Sequence, residues 1–418
     1  CRLPKQDDDD MDTCVNTADA VTETAEPAWG AVFAMTLGVF GLITAEFLPA
    51  SLLTPMAATL GVTEGMAGQT VTATAAVALV TSLVISVLTR NTDRRTVLLS
   101  FSVLLVASNL LVAYAPNLTV MLLGRVLLGI AIGGFWTMSA ATAMRLVPEA
   151  MVPRALSIIF SGVSVATVAA APLGSYFGHL IGWRNVFLIA TAIGVFAFVW
   201  QWFTLPRMAS TGSARMGTLL EVMKRPAMRA GMLAVILVFT GHFAFFTYLR
   251  PFLETVTGVG VNGLSGMLLG FGVANFVGTS VAGFLLERNL RLALLLMPLA
   301  MGMMALALVL LGRAPVADAM LVALWGMTFG CVPVAWTTWI TRTVPDEAES
   351  GGGLIVAAVQ LAITLGAAGG GVVFDHAGAN GVFVGAAVVL LMAVAAISLR
   401  LPAVAALPSD ARATYGAH

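Results

Sequence analysis

Glu46 is set apart from the other acidic residues by its neighbours. Of 21 Asp and Glu, it alone lies well inside an apolar run, Ala45-Glu46-Phe-Leu-Pro-Ala50, while the rest fall in tails, connectors or the edges of such runs. A charge surrounded by hydrocarbon is costly unless it is paired, hydrated or neutralised. Low dielectric favours the protonated carboxyl, so a group placed this way can load and release a proton. Arg125 is the matching base, the one Lys or Arg within an apolar run. Among the histidines, His242 is the one away from termini and polar turns, and imidazole both titrates near neutral pH and makes hydrogen bonds. Asp93, Arg94 and Arg95, with Glu287 and Arg288 further on, form acid-base steps at the ends of apolar runs. Charge contacts of that kind suit a gate that opens and closes.

The composition specifies the solvent in which these groups work. The chain has 418 residues, 59% hydrophobic and 10% charged, against about 45 to 50% and about 25% for an ordinary soluble domain. Runs of about 20 apolar residues, enough to span a bilayer as helices, occur near 29–52, 66–88, 96–115, 118–143, 154–178, 185–205, 229–250, 263–286, 291–312, 317–341, 353–374 and 378–399. The reading is an all-α membrane protein of twelve transmembrane helices. It divides into an acidic tail (1–28), an N-terminal six-helix bundle (29–205), a connector (206–228), a C-terminal six-helix bundle (229–400) and a second tail (401–418). Residues 1–10 read as an extension ahead of Met11. Three cysteines without motif spacing, Cys1, Cys14 and Cys331, indicate neither a disulfide framework nor a zinc site.

Net charge is zero, which excludes the basic excess of a nucleic-acid binder, but the charges are unevenly placed. Arg184, Arg250 and Arg313 fall in one set of turns, Arg125 is embedded, and the remaining Lys and Arg lie in the tails and the other set of turns. By the positive-inside rule both termini are cytoplasmic. At 1.5 Å rise per residue, Glu46 is ~26 Å from Trp29 and Arg125 is ~10 Å from its outer helix end, so both sit at similar depth in the outer part of the membrane.

An internal duplication accompanies this pattern. Arg145-Leu-Val-Pro148-Glu149 recurs as Arg342-Thr-Val-Pro345-Asp346, and at the same offset Gly129 and Gly133 recur as Gly326 and Gly330. Parallel six-helix repeats with a site between them near the midplane are the plan of an alternating-access transporter.

These residues resemble the major facilitator superfamily, within it the twelve-helix drug:proton antiporters. The likeness rests on the loop Asp93-Arg94-Arg95, the helix-4 pattern Arg125-xxx-Gly129-xxx-Gly133, Ala171-Pro172-Leu-Gly174 and Gly182-Trp183-Arg184-Asn-Val-Phe187. Thr89 and Ala171 stand where family patterns have glycine. Longer stretches, Glu46 to Met56, Gly134 to Ser139, Phe243 to Pro251 and Trp336 to Arg342, are similar to the purine-ribonucleoside-exporting branch. The resemblance implies that Glu46 and Arg125 couple protons to transport and that the cargo is a purine ribonucleoside such as inosine or guanosine.

A purine stacks on aromatic faces, at about 1 to 3 kcal/mol per base, and its edge and ribose need polar partners. Trp136, His242, Phe243, Phe246, Thr247, Tyr248, Asn275, Trp336 and Gln360 are the residues expected to contact it. The same types also serve as helix packing and interfacial belts. Asp93, Arg94, Arg95, Glu287, Arg288, Pro172 and Gly174 are expected at the gates, and Gly366, Gly369, Gly370 and Gly371 at close helix crossings. The chain is expected to be a monomeric efflux transporter of the bacterial inner membrane, using protons and the lipid bilayer, with no cofactor, metal or nucleic acid. A sugar or chloramphenicol-type exporter of the same family is the alternative. No G-x-x-x-x-G-K-[ST] loop for ATP, His-Glu-x-x-His motif or embedded acid pair occurs, so enzyme activity is not expected, and no long soluble segment suggests a receptor.

Overall fold

The computed structural model describes residues 27–148, 151–208, 221–344 and 348–400. The acidic tail before residue 27, Glu149, the 209–220 part of the connector, Pro345, Asp346 and the tail 401–418 lie outside the described residues.

Seven helices come first: α1 Trp29–Leu60, α2 Glu64–Leu88, α3 Arg94–Ala113, α4 Leu118–Leu146, α5 Val152–Ile181, α6 Trp183–Thr204 and α7 Pro226–Thr247. After α7 the chain makes one more helical turn, Leu249–Phe252, and a π-helical turn, Leu253–Thr257. Two long helical runs follow, each broken once. The first divides into α8 Val261–Leu286 and α9 Arg288–Leu311, with the backbone leaving helical geometry at Asn289 (φ −162°, ψ 94°). After α10 Pro315–Thr343, the run Ala348–Arg400 breaks at Gly378 (φ 66°, ψ −171°) into α11 (348–377) and α12 (379–400). Among the described residues, α1 to α10 and the α11–α12 run taken as one are long and apolar enough to cross a bilayer, and no strand occurs.

The expected all-helical architecture is therefore present, for a physical reason. Hydrocarbon offers the backbone no hydrogen-bond partner, so an apolar run must satisfy its own N–H and C=O groups as a helix. Short polar signals set the ends. Asp93 caps α3 through the N–H groups of Arg95 and Thr96, and Asn117 caps α4 through that of Val120. The Asn289 side chain accepts from Leu292 N–H at 3.0 Å and so starts α9. At Gly378 a positive φ, which glycine adopts without Cβ strain, separates α11 from α12.

The helices form two six-helix bundles, α1–α6 and α7–α12. The duplicated glycines perform the same task in each. At Gly129 and Gly133 a side chain would meet the backbone carbonyls of Thr74 and Ala78, so α4 lies directly on α2. At Gly326 and Gly330 it would meet those of Phe271 and Asn275, so α10 lies on α8 in the same way. Small residues permit such close crossings, which drive helix association in lipid. Between the bundles, α2 packs on the α11–α12 run and α5 on the α8–α9 run. Large apolar side chains, among them Phe33, Phe196, Phe203, Phe284, Leu310 and Leu399, are left exposed around the perimeter, as a protein solvated by lipid requires. The two ends of the molecule differ in charge: the turns with Arg184, Arg250 and Arg313 make one end arginine-poor, and the other is arginine-rich.

Candidate functional site

The site begins with a backbone defect in α1. Pro49 and Pro55 lie inside this helix. Proline has no N–H, so the carbonyls of Ala45 and Ser51, four residues earlier, lose their helical donors. The sequence pattern places the end of the span near residue 52, yet α1 continues to Leu60, because an arginine supplies each missing donor. Arg125 Nη1 donates to the Ala45 carbonyl at 2.7 Å. Arg250 Nη1 donates to the Ser51 carbonyl.

Arg125 has no exposed surface. Its Nε also donates to the Thr70 carbonyl at 3.2 Å, and its Nη2 to the backbone carbonyl of Glu46 at 3.4 Å. One guanidinium from α4 thus joins α1 and α2. It stands beside Glu46, which is 8% exposed, but it takes that residue's backbone rather than its carboxylate. Among the described residues the Glu46 carboxylate makes no hydrogen bond or ion pair. Its charge is balanced by a neighbour, yet no bond to it need break when it gains or loses a proton. The adjoining Phe47 meets Phe246 of α7 edge-on, with ring centroids 5.4 Å apart, across the boundary between the bundles.

Behind Phe246 lies a cluster of rings around His242. The imidazole is buried, lies flat on Phe329 (3.3 Å between centroids, 2° between planes) and has Phe246 at 5.8 Å in a near-parallel plane. Its Nδ1 accepts from the indole N–H of Trp325 at 3.1 Å. Phe243 borders the same cluster, with centroids 5.0 Å from the imidazole. Thr247 Oγ1 and Gln360 Oε1 are enclosed without a hydrogen-bond partner among the described residues. Tyr248 donates its hydroxyl to the Ala367 carbonyl at 3.0 Å, and Gly68 of α2 and Gly371 of α11 leave room for its ring. Asn275 donates to the Gly326 carbonyl at 3.3 Å, tying α8 to α10.

The structure brings His242, Phe243 and Phe246 together and sets the two tryptophans apart. Trp136 is half-buried in the other bundle and stacks on the exposed Phe160 at 5.5 Å. Trp336 is fully packed beside Trp339 in the core of the second bundle. Three residues escaped the sequence reading. Trp325 and Phe329 are indistinguishable there from other aromatics of an apolar run. Asp318 was assigned to a span edge, but it has 0% exposure and is bonded on one oxygen by Thr257 at 2.8 Å, the other oxygen having no partner among the described residues. The one signal for it was its place in the first turn after Pro315.

Three hydrogen bonds cross between the bundles among the described residues, all at the arginine-poor end. Arg250 reaches the Ser51 carbonyl, the Thr54 hydroxyl donates to Glu254 at 2.6 Å, and Thr63 donates to Asp375 at 3.1 Å. Arg250 and Glu254 are themselves paired at 2.8 Å. Deeper in, Gly272 of α8 presses on the backbone of Val168 in α5, whose carbonyl Pro172 deprives of its helical donor. Gly174 faces Leu48 and Ser51 of α1.

At the arginine-rich end the charged loop stays within its own bundle. Asp93 accepts from the Met208 N–H at 3.0 Å, Arg94 donates to the Thr89 hydroxyl at 3.1 Å, and Arg95 donates to the Trp202 carbonyl at 2.6 Å. Arg288 lies over Phe284, and the side chain of Glu287 lies outside the described residues. Among the described residues, the hydrogen bonds that join the two halves lie at the arginine-poor end.

Comparison with known proteins agrees with this architecture. A family model described as Major Facilitator Superfamily matches residues 35–367. The purine ribonucleoside efflux pump NepI of Salmonella paratyphi B is 49% identical over 354 residues, covering 85% of this chain and 89% of the pump. The pump of the same name from Salmonella typhimurium (strain LT2) matches to the same extent. Among solved structures, a bacterial homolog of the human lysosomal transporter Spinster superposes with a TM-score of 0.74 at 16% identity, covering 91% of this chain and 98% of that one; it was solved inward-facing and unoccupied. Its occupied form superposes at 0.72 with 17% identity, covering 88% and 96%. At these identities the structural likeness is one of fold.

Proposed function

Since this chain belongs to the Major Facilitator Superfamily, we propose that it exports purine ribonucleosides such as inosine and guanosine across the bacterial inner membrane in exchange for protons, as a monomer. The observation that carries this reading is the Glu46 carboxylate: buried beside Arg125, free of bonds to the described residues, and one residue from the contact of Phe47 with α7. A group so placed takes up or gives off a proton without dismantling its surroundings, and its charge is felt where the two bundles touch. The relatives named as purine ribonucleoside efflux pumps support the cargo.

In this reading the arginine-rich end faces the cytoplasm, with both termini on that side. The latch of Arg250, Glu254, Ser51 and Thr54 closes the outer end, so this conformation receives cargo from inside. The nucleoside enters between the bundles. Its base is held by the rings around His242 and by Trp136, and its polar edge and ribose meet groups such as Thr247 and Gln360, which have polar atoms without partners among the described residues. Asn275, Tyr248 and Trp336 support this site. The halves then rock: the outer latch opens, Asp93, Arg94, Arg95, Glu287 and Arg288 close the inner end, and Pro172 and Gly174 yield in α5. Cargo leaves outside and a proton enters on Glu46. One charge falling through 100 mV releases about 2.3 kcal/mol, so the proton gradient is an adequate drive.

The test is uptake of labelled inosine into everted vesicles energised by a pH gradient, comparing the unaltered chain with Glu46→Gln and using chloramphenicol and sugars as competing cargoes. Glu46→Gln is expected to abolish gradient-driven accumulation while sparing downhill exchange. Full accumulation by Glu46→Gln would refute the proton role. Transport of chloramphenicol or sugar but not of inosine by the unaltered chain would refute the cargo.

A further inference from the structure

We propose that Trp325 is a positioning residue for His242 that makes the site select purines by a hydrogen-bond acceptor, favouring 6-oxopurine nucleosides over adenosine. The indole nitrogen can only donate, and its N–H points at His242 Nδ1 at 3.1 Å. Nδ1 is therefore the bare, accepting nitrogen of a neutral imidazole, and the ring proton sits on Nε2. A doubly protonated ring would set Nδ1–H against the indole N–H, two donors facing each other.

Neither ring has freedom to rearrange. Trp325 is completely buried and stacks on Phe245 at 3.7 Å and 9°. His242 is held between Phe329 and Phe246. Among the described residues nothing bonds to Nε2. Phe246 in turn meets Phe47 across the boundary between the bundles, so the imidazole lies one ring away from where cargo must pass.

An Nε2–H donor fixed in this way and aimed at position 6 complements the O6 acceptor of hypoxanthine and guanine, whereas N7 accepts in every purine and does not discriminate. At position 6 adenine presents an exocyclic amino group, donor against donor. A site that hydrogen-bonds one group rejects a ligand that cannot answer it, because the buried partner is left unpaired. This assignment presupposes that nucleosides are the cargo, and it explains how a site made mostly of apolar rings distinguishes among them.

The experiment measures initial rates of inosine and adenosine transport in everted vesicles for the unaltered chain, Trp325→Phe, His242→Gln and the double variant. The unaltered chain is expected to prefer inosine by about tenfold, as one buried unpaired donor implies. Trp325→Phe keeps an aromatic side chain but removes the N–H, so the imidazole proton can move to Nδ1 and the preference falls to within about twofold. In His242→Gln the amide presents either sense of hydrogen bond, and adding Trp325→Phe changes the ratio no further. An inosine preference unaltered by Trp325→Phe overturns the assignment while leaving nucleoside export intact; absence of any nucleoside transport removes its premise.

If Trp325→Phe does not fold, nitrogen-15 NMR of the chain with His179, His376 and His418 replaced decides the matter. A pyridine-like Nδ1 and pyrrole-like Nε2 in His242 are expected. The reverse assignment refutes the proposal.

Discussion

Replacing Arg125 and Pro49 singly and together tests whether the arginine completes the backbone of α1. In Arg125→Met the Glu46 and Thr70 carbonyls keep their own helical donors, but the Ala45 carbonyl, at 2.7 Å from Arg125 Nη1, is left with none because residue 49 is proline. A buried acceptor stripped of its partner costs about 1 to 3 kcal/mol. Pro49→Ala returns an N–H to that carbonyl. Losing Arg125 should therefore cost about 1 to 3 kcal/mol less in the Pro49→Ala background. The charge left unbalanced on Glu46 is common to both backgrounds and cancels in the cycle. The measurement is reversible unfolding of the four purified proteins in detergent. Effects that add to within about 0.5 kcal/mol would refute the pairing of arginine with a proline-freed carbonyl. Proton-driven transport should stay impaired in the double variant, since Pro49→Ala repairs the helix but not the charge beside Glu46.

The latch at the arginine-poor end and the two tryptophans give further tests. Arg250→Met removes the contacts to Ser51 and Glu254, each charge-assisted bond being worth about 1.5 to 3 kcal/mol. In a background without Cys1, Cys14 and Cys331, a cysteine at Thr247 should then react about tenfold faster or more with an impermeant thiol reagent applied at the arginine-poor side; an unchanged rate would show that the latch does not hold that end shut. Trp336→Ala, which empties a filled core position, should cost about 3 to 5 kcal/mol of stability and leave the selectivity of the surviving protein unchanged. Trp136→Ala should instead raise the KM for inosine with little loss of folded protein, and the opposite pattern in either variant would reverse their roles.

Much of the fold was legible in the sequence because lipid leaves the backbone few choices. Apolar runs became helices, and the duplicated Gly129, Gly133, Gly326 and Gly330 proved to be matching crossings in two bundles. Glu46 and Arg125 stood out because a charge in an apolar run is expensive, and their similar depth followed from helical rise. Extents were less legible. The apolar run of α1 was read as ending near residue 52, yet the helix continues past Pro49 and Pro55 because donors arrive from α4 and from beyond α7.

Composition and spacing determined the solvent, the number of helices, the duplication and the depth of the embedded charges. The tertiary structure alone decided that Arg125 bonds backbone carbonyls rather than the Glu46 carboxylate, that Arg250 reaches the opposite bundle, and that Trp325 donates to His242. It also decided that Trp336 is core while Trp136 is half-exposed. The physical reason is rotational: an apolar run states how deep each residue lies, but when all sides of a helix are apolar nothing in it states which way a side chain faces. That direction is set by the close crossings and proline breaks, through contacts between residues far apart in the chain.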